Sequence, residues 1–308
     1  MYQLKLEYFL VISVYLIMLV MILVSVAFVT LMEQKLLSSI QIRVGPVKVG
    51  YWGLLQPFAD AVKLFVKEVS YCRMSNFFFF FMSPFLSLLI ILVVWLVFPY
   101  LFGGINFELG VLFFVCVSGL GVFPILVSGW SSNSKYSFLG GLRAVAQMIS
   151  YEVSLVMIIL SVLWVSNSTS FYTIMENSWF NWGGFFFFPL MMIWFVSSLA
   201  ETNRSPYDFS ESESELVSGF NTEYSSGGFT LIFMAEYASI LFMSMLVSVL
   251  FLSSCIDPLL VIKGMMVSFM FVWVRGTMPR FRYDKLMFLA WKSFLPISLF
   301  IFCYFLLF

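Results

Sequence analysis

Eight long apolar runs, separated by polar connections, constrain the fold of this chain more than any other feature. Each is long enough to cross about 30 Å of hydrocarbon as a helix rising 1.5 Å per residue. Only 10% of the 308 residues are charged, against about 25% in soluble domains. The sequence therefore predicts an all-α polytopic membrane protein, one integral membrane domain over 1–308 with about eight transmembrane helices near residues 8–32, 77–101, 109–130, 141–166, 182–200, 225–254, 259–278 and 286–307.

The first apolar run is too long for the core of a signal peptide, so we expect it to form the first helix. The basic residues are concentrated in alternate connections between the predicted spans. Fourteen of the 16 Lys and Arg residues lie in the odd-numbered connections or at the adjoining helix ends, and only Lys5 and Lys263 lie on the other side. Because basic residues concentrate on the inner side of a membrane, we expect the odd-numbered connections to face the cytoplasm or the mitochondrial matrix. Both termini then face outward.

The chain contains no His, which excludes haem ligation by His, a His metal site and a Ser-His or Cys-His pair. Its four cysteines lie far apart, in or beside apolar runs, without a CxxC spacing. We expect them to be small core residues, and we expect no metal or redox centre in this chain. The four are Cys72, Cys116, Cys255 and Cys303.

The first inner connection, residues 33–76, is too long for a turn and carries an amphipathic pattern. Polar residues recur at spacings of four, three and four, and apolar residues occupy the other side of the same predicted helix. An interfacial helix that anchors the chain explains this pattern, and so does a polar stripe that lines a cavity. The polar residues are Gln56, Asp60, Lys63 and Lys67, and the apolar ones are Leu55, Phe58, Val62 and Phe65.

The third inner connection, residues 201–224, is acidic. Seven of the sixteen acidic residues lie between positions 201 and 236, and Arg204 is the only base in the connection. Mutual repulsion is expected to raise the pKa of some of the loop carboxyls. A solvated acidic loop is one interpretation. Apolar residues interrupt the run, however, which favours packing over a free tail; they are Phe209, Leu216, Val217 and Phe220.

Glu152 and Glu236 lie about eleven residues into the fourth and sixth predicted spans, near the bilayer midplane. An ionised carboxylate costs at least about 2.5 kcal/mol at that depth, so each must be protonated or paired. Either a proton relay or an interhelical hydrogen bond explains such residues, and we favour the relay. Glu201 ends the fifth span, so three successive spans each bring one acid. The adjoining Tyr151 and Tyr237 are candidates to bind other carboxyls.

A quinone chamber is a further interpretation of this mixture of charge and apolar surface, because a quinone has an apolar tail and a carbonyl head that needs a few polar partners. Residues 33–67 and 275–284 both have the required composition. The second segment has a simpler explanation, since basic residues at the inner end of a helix are what orientation alone predicts.

Eight motifs, in order along the chain, resemble one family. They are M-E-Q-K at 32–35, Q-I-R-V-G-P at 41–46, G-L-L-Q-P-F-A-D-A-V-K-L-F-V-K-E at 53–68, G-G-L-R-A-V-A-Q-M-I-S-Y-E-V-S at 140–154, A-E-T-N-R-S-P-Y-D-F-S-E at 200–211, S-E-L-V-S-G-F-N-T-E-Y at 214–224, M-A-E-Y at 234–237 and R-G-T-M-P-R-F-R-Y-D-K-L-M at 275–287. The chain is identified by these motifs as similar to subunit 1 of mitochondrial NADH:ubiquinone oxidoreductase, respiratory complex I.

The resemblance implies a subunit of the mitochondrial inner membrane that forms much of the ubiquinone access tunnel and couples quinone reduction to proton translocation. NADH oxidation, the flavin and the iron–sulfur clusters belong to other subunits, so this chain is part of an enzyme without holding a complete active site. Its implied partners are the other membrane-arm and peripheral-arm subunits, ubiquinone and membrane lipids, with no nucleic acid. The odd-numbered loops would face the matrix and the termini the intermembrane space.

The same resemblance carries roles to individual residues. It places the proton path on Glu152, Glu201, Glu236, Asp208, Glu211, Glu213, Glu215 and Glu223. It places the quinone tunnel on Glu33, Arg43, Asp60, Lys63, Arg204, Phe220 and Arg282. Four positions depart from the family pattern: Gln34 stands where Arg is usual, Ser212 where Gly is usual, and Val44 and Val47 where polar residues are commoner. The first removes a positive charge beside Glu33, and the second strains the loop if that position needs φ > 0.

Two other functions would use the same features. An independent ion/proton antiporter could use the same intramembrane carboxylates, but it predicts internal repeats with paired broken helices, and the 147–152 and 201–224 patterns each occur once. A purely structural membrane anchor explains the sorted basic residues. It does not explain two carboxylates at midplane depth.

Overall fold

The computed structural model describes residues 2–70, 73–99, 107–178, 187–208, 219–252 and 258–307, with the backbone alone described for 2–10, 177 and 178. Within these ranges the chain is helical and contains no β-strand. The helices are α1 (Tyr2–Ile40), α2 (Gln56–Val66), α3 (Phe77–Trp95), α4 (Gly110–Leu120), α5 (Val122–Ser131), α6 (Lys135–Ser166), α7 (Phe171–Ser178), α8 (Phe188–Glu201), α9 (Ser226–Val247), α10 (Pro258–Thr277), α11 (Tyr283–Phe288) and α12 (Leu295–Leu306).

The described ranges contain seven segments that are long and apolar enough to cross a membrane, plus the shorter apolar helix Phe188–Glu201. Short 3-10 helices lie at Tyr51–Gly53 and Gly219–Glu223. Single π-helical turns continue α9 through Ser248–Leu252 and join α11 to α12 through Leu289–Phe294. The all-α membrane fold predicted from the sequence is confirmed. Of the predicted fifth span, 182–200, residues 182–186 lie outside the described part of the chain.

The predicted third span is interrupted at Gly121, where α4 ends and α5 begins. The Gly121 amide donates to the Ser118 carbonyl at 2.9 Å, which is a tight i−3 turn. Pro124, three residues later, has no amide hydrogen to donate and its ring crowds the preceding turn. The tight turn is therefore encoded locally, although an apolar run alone does not reveal it.

The first helix differs from its prediction in length. It continues eight residues beyond the predicted end at residue 32 and stops at Ile40. Glu33 thus lies within α1 and is buried, rather than in the loop. The reason is that Met32–Ile40 packs against other helices, so polar residues such as Glu33 and Ser38 stay helical after the apolar run ends.

The amphipathic segment forms α2, with a proline in its first turn, a position that suits the fixed φ of proline. Its buried Pro57 faces the protein, where α2 packs on α1 and α9. Phe58, Val62 and Phe65 on the predicted apolar side are exposed. The helix is therefore present, and its position at a membrane interface stays a prediction.

Two helices form the centre of the molecule. In the most apolar stretch of α9 and its π turn, 78% of the residues are buried inside the protein, whereas only 11% are buried in the corresponding stretch of α1. This helix packs on α1, α3, α8 and α10, while α6 packs on α5, α8, α12 and the 3-10 helix Gly219–Glu223. Ser134 caps the start of α6 by accepting from the Ser137 amide, and Asn167 ends it in the left-handed conformation. The carboxylates of interest lie between these two helices and α1.

The prediction that the cysteines are core residues is wrong for Cys116 and Cys303, which are exposed and unpaired. In a membrane protein the outward side of a helix faces other apolar groups, so an apolar preference does not distinguish outside from inside. Cys72 and Cys255 lie outside the described residues.

Candidate functional site

Glu33 on α1 is held by two partners from different helices. The Arg275 guanidinium on α10 forms an ion pair with its Oε1, and the Tyr237 hydroxyl on α9 donates to its Oε2 at 2.5 Å. Glu33 itself is only 6% exposed. A buried carboxylate is tolerated when it is both paired and hydrogen-bonded, and Glu33 satisfies both conditions. One side chain thereby joins three helices.

Arg204, in the segment after α8, makes a second set of contacts. They are with the part of α9 that also carries Tyr237. Its Nη2 lies 3.5 Å from Oε2 of Glu236. Its Cζ lies 4.3 Å from the centroid of the Tyr237 ring and 6.0 Å from that of Phe233. A guanidinium over an aromatic face is stabilised by the ring quadrupole, more strongly when water is excluded. Since Arg204 is buried, these groups take the place of its hydration shell.

Gln147 on α6 fixes the segment that carries Arg204. Its amide nitrogen donates to the Ala200 carbonyl at 2.8 Å and to the Tyr207 carbonyl at 2.7 Å. The side chain is fully buried, so both bonds form away from bulk water. At the far end of the segment, the Phe281 amide donates to the Pro206 carbonyl at 3.0 Å. The backbone from Ala200 to Asp208 is therefore tied to α6 and to the residues before α11.

A cavity of about 120 Å³ lies between α3, α4, α5, α9 and the end of α8. Its lining is mostly apolar, with Phe114, Ile232 and Phe242 among the contributors. Glu201 and Glu236 are its two ionisable lining residues in the described part of the chain. One water needs roughly 10–15 Å³ of such volume, so the space is sufficient for several. Two of the three predicted intramembrane acids therefore meet at one cavity.

Glu152 lies near the middle of α6 and is half-buried. Its carboxyl interacts electrostatically with that of Glu201. Its Oε1 also lies against Gly119 of α4, at 2.9 Å from where a Cβ would stand. The third acid thus lies against α4 and interacts with Glu201, but it does not line the cavity itself. Glu201 differs from Glu33 and Glu236, because no described residue hydrogen-bonds its Oε2.

Phe220 lines the same cavity and is buried in a cluster with Phe80, Tyr224 and Ile232. The preceding Gly219 has φ +53°, and its Cα would lie 2.9 Å from a Cβ at Gly140 of α6. Glycine adopts the left-handed conformation at position 219 at no steric cost, and the absence of a Cβ at Gly140 permits the close approach. The two glycines bring the end of the acidic connection onto α6. Tyr224 lies outside the spans, and burial raises the pKa of its phenol.

The remaining predicted site residues are more dispersed. Arg43, Lys63 and Arg282 are exposed, and Asp60 is half-buried and accepts from the Gln56 amide at 2.8 Å. Asp208 is buried, and its Oδ2 lies 3.9 Å from Nη2 of Arg280. Glu223 is half-buried at the end of its 3-10 helix. Glu211, Glu213 and Glu215, like Ser212, lie outside the described residues, while Gln34 is exposed.

Of the seven residues assigned to a quinone tunnel, only Phe220 lines the cavity. Glu33 and Arg204 come together instead through Tyr237. The assignment of these seven residues to a quinone tunnel stays a prediction.

The sequence placed neither Arg275 nor Gln147 among the residues of the proton path or the tunnel, and it indicated Tyr237 only as a candidate partner of a carboxyl. Arg275 was explained by orientation, and its partner is 242 residues distant along the chain. Tyr237 was a candidate to bind a carboxyl and does so, whereas Tyr151 donates instead to the Leu286 carbonyl at 3.0 Å. A polar Gln in the middle of an apolar helix was the signal for Gln147.

The fold and the site together define a polytopic α-helical membrane protein that keeps carboxylates paired with arginines between its spans. A family model described as NADH dehydrogenase matches residues 13–306. Proteins named NADH-ubiquinone oxidoreductase chain 1 are 57% identical over 285 residues in Aedes aegypti and 52% identical over 286 in Locusta migratoria, each match covering 92% of this chain and 91% of the relative. In Tamias sibiricus the protein of that name is 47% identical over 292 residues, covering 92% of each. The chain belongs to the NADH dehydrogenase family and is one chain of this oxidoreductase.

Proposed function

We propose that the chain is the membrane subunit of mitochondrial complex I that forms much of the ubiquinone access tunnel and couples quinone reduction to proton movement. The observation that carries this proposal is the meeting of Glu201 and Glu236 at one mostly apolar cavity. Ionisable groups inside a membrane are costly, so their presence beside a cavity favours a role in proton movement.

In this proposal protons reach the cavity from the acidic connection and pass between Glu152, Glu201 and Glu236. The electrostatic interaction between Glu152 and Glu201 supports the order, because the charge of one biases protonation of the other. The ion pair of Arg204 with Glu236 is a second influence on protonation. Movement of the guanidinium away from Glu236 would remove the positive charge that favours the ionised carboxylate. Since the chain has no His, carboxylates and water carry out every transfer within it.

The tunnel role rests on Glu33, Arg43, Asp60, Lys63, Arg204, Phe220 and Arg282. The chain supplies no redox group, and ubiquinone is the substrate of the complex as a whole. Reduction of a quinone near the segment 200–208 would place new negative charge close to Arg204. Coulombic interactions of this kind are strong where water is scarce. A structure of the whole complex with bound ubiquinone would test whether residues 33–67 and 201–223 line one continuous space.

Replacement of Glu152 by Gln tests the proton path, because it removes the ionisable group and keeps the shape. In the assembled complex we expect NADH:ubiquinone reductase turnover or proton pumping to fall by roughly tenfold or more. Native gel electrophoresis reports assembly of the whole complex, and oxidation of NADH by an artificial acceptor, which needs only other subunits, normalises the rates. Glu176 on α7 is exposed, so Glu176→Gln is the matched control and should leave pumping intact. Normal turnover and pumping of a fully assembled Glu152→Gln complex would refute the relay.

The partners in this proposal are the other membrane-arm and peripheral-arm subunits, ubiquinone and lipids of the inner membrane. The outer side of α1, with Leu16, Ile17, Val20 and Met21 exposed, provides apolar surface for neighbouring subunits or lipid. The matrix location of the odd-numbered loops follows from the sorted basic residues.

A further inference from the structure

Tyr237 contacts one member of each of two ion pairs, Glu33–Arg275 and Arg204–Glu236. Its hydroxyl donates to Glu33, the partner of Arg275. Its ring lies under the guanidinium of Arg204, the partner of Glu236. One side chain therefore touches both a predicted tunnel residue and the cation beside a predicted proton carrier.

We propose that Tyr237 is a positioning residue that couples the Glu33–Arg275 pair to the Arg204–Glu236 pair. The inference rests on the proposed function, in which Glu33 belongs to the tunnel and Glu236 to the proton path. The hydroxyl and the ring have separate tasks: the first senses the state of Glu33, and the second holds Arg204.

The geometry of α9 explains why one tyrosine can do this. Consecutive residues on a helix are separated by about 100°, so Glu236 and Tyr237 point to adjacent sectors of the helix surface. Glu236 faces the cavity, while Tyr237 faces α1 and is buried. Arg204 reaches both sectors, with its Nη2 at 3.5 Å from the carboxyl and its Cζ at 4.3 Å from the ring centroid. A small shift of the guanidinium therefore strengthens its contact with the Glu236 carboxyl and weakens its contact with the Tyr237 ring, or the reverse.

The chemistry of a phenol gives the link its direction. A hydroxyl that donates to a carboxylate shifts electron density into the ring, and an electron-rich ring attracts a cation more strongly. When Glu33 is ionised and accepts from Tyr237, Arg204 is held on the ring. When Glu33 gains a proton, or pairs with Arg275 alone and no longer accepts from Tyr237, the ring attracts Arg204 less strongly. Arg204 then moves toward Glu236. A change at Glu33 thus alters the charge that Glu236 experiences.

The charged groups around this link can be named from the described residues. Arg275 faces Glu33, and Arg280, which contacts Asp208, interacts with Arg275 electrostatically. Arg204 faces Glu236, and Glu201 shares the cavity with it. Glu33 thus pairs with Arg275 and Glu236 pairs with Arg204, and Tyr237 contacts Glu33 of the first pair and Arg204 of the second.

A double-mutant cycle in the assembled complex tests the coupling. Glu33→Gln, Glu236→Gln and their combination are made twice, once with Tyr237 and once with Tyr237→Phe, which keeps the ring and removes the hydroxyl. Turnover is normalised to NADH oxidation by an artificial acceptor. With Tyr237 present we expect the double variant to differ from the product of the single effects by about threefold or more, and with Phe by less than about twofold. If the Gln variants do not assemble, Glu33→Asp and Glu236→Asp complete the same cycle.

Tyr151→Phe is the matched control background. It also removes a buried tyrosine hydroxyl that donates a hydrogen bond, here to the Leu286 carbonyl, and it touches neither ion pair. The coupling should survive in that background. Single effects that multiply independently with Tyr237 present, or coupling that persists in Tyr237→Phe, would overturn the link and leave the proposed function intact. A Glu236→Gln complex with normal turnover and pumping would instead refute the proton path itself.

Discussion

Arg204 shows at the scale of one residue how strongly this site depends on pairing. The side chains of Arg204 and Glu236 are 7% and 16% exposed. If one partner is removed, water therefore hydrates the remaining charge only poorly. Removal of one member of a buried ion pair typically costs about 3–5 kcal/mol, because the other charge stays buried. We therefore expect Arg204→Ala to lower the thermal inactivation midpoint or the yield of the assembled complex.

The addition of Glu236→Gln provides the internal control for that prediction. With the carboxylate neutralised, Arg204→Ala leaves no uncompensated charge at this pair, and most of the lost stability should return. If the double variant is no more stable than Arg204→Ala alone, then the loss comes from the missing packing of Arg204 on Tyr237 and Phe233, and not from an unpaired charge on Glu236.

Gly119 gives a gentler test of the position of Glu152. An alanine Cβ at this position would lie 2.9 Å from Glu152 Oε1 and would push a flexible carboxyl aside without changing its charge. Misplacement of a reacting group by about 1 Å can cost up to about a hundredfold in rate. We expect Gly119→Ala to assemble normally and to lose roughly tenfold in pumping rate, measured in vesicles. Gly227→Ala is the control, since no atom lies within 4 Å of its added Cβ; equal rates in the two variants would contradict a positional role for Glu152.

Glu33 also shows what a single sequence can and cannot predict. The cost of a charge inside a membrane identified Glu152 and Glu236 as candidate functional residues, because the depth of each follows from counting residues within an apolar run. Glu33 follows the end of such a run, so the same count placed it in a loop. Its burial depends on Arg275 and Tyr237, 242 and 204 positions away along the chain. No local pattern encodes contacts of that range.

At the scale of elements, the segment from α8 to Asp208 depends on Gln147. Gln147→Leu keeps approximately the volume of the buried side chain but removes the side-chain donor of the Tyr207 carbonyl, and also one donor of the Ala200 carbonyl, which keeps the Asn203 amide at 3.3 Å. A buried unsatisfied group costs about 1–3 kcal/mol. We expect a lower thermal inactivation midpoint of quinone reductase activity, with NADH oxidation by an artificial acceptor unaffected. Gln34→Leu, at an exposed position of α1, should leave the midpoint unchanged; an equal loss in both would argue against the anchoring role.

Predictions of elements succeeded where the pattern was local and failed where packing decided. The period of apolar residues in 52–67 predicted α2, and the proline in its first turn agrees with the observed start at Gln56. The end of α1 was misplaced because its last residues are helical through packing, not through an apolar pattern. The break at Gly121 was overlooked because Gly and Pro are both tolerated within apolar spans.

At the scale of the whole molecule, the sorted basic residues predict which ends of the helices share a compartment. Glu108 and Lys135 are exposed at opposite ends of the α4–α5 segment. Its 22 residues separate them by about 33 Å as a helix, which is the thickness of the hydrocarbon. The positive-inside rule predicts that Lys135 faces the matrix and Glu108 the intermembrane space.

Cysteine labelling can decide this orientation in mitochondria stripped of their outer membrane. A charged maleimide that does not cross the inner membrane should label Glu108→Cys at once. It should label Lys135→Cys only after the inner membrane is permeabilised. Labelled peptides identified by mass spectrometry separate these sites from the native cysteines at 72, 116, 255 and 303. The reverse pattern would place the acidic connection and the Ala200–Asp208 segment on the outer side. Protons could not then enter the carboxylate path from the matrix, because its entrance would face the other compartment.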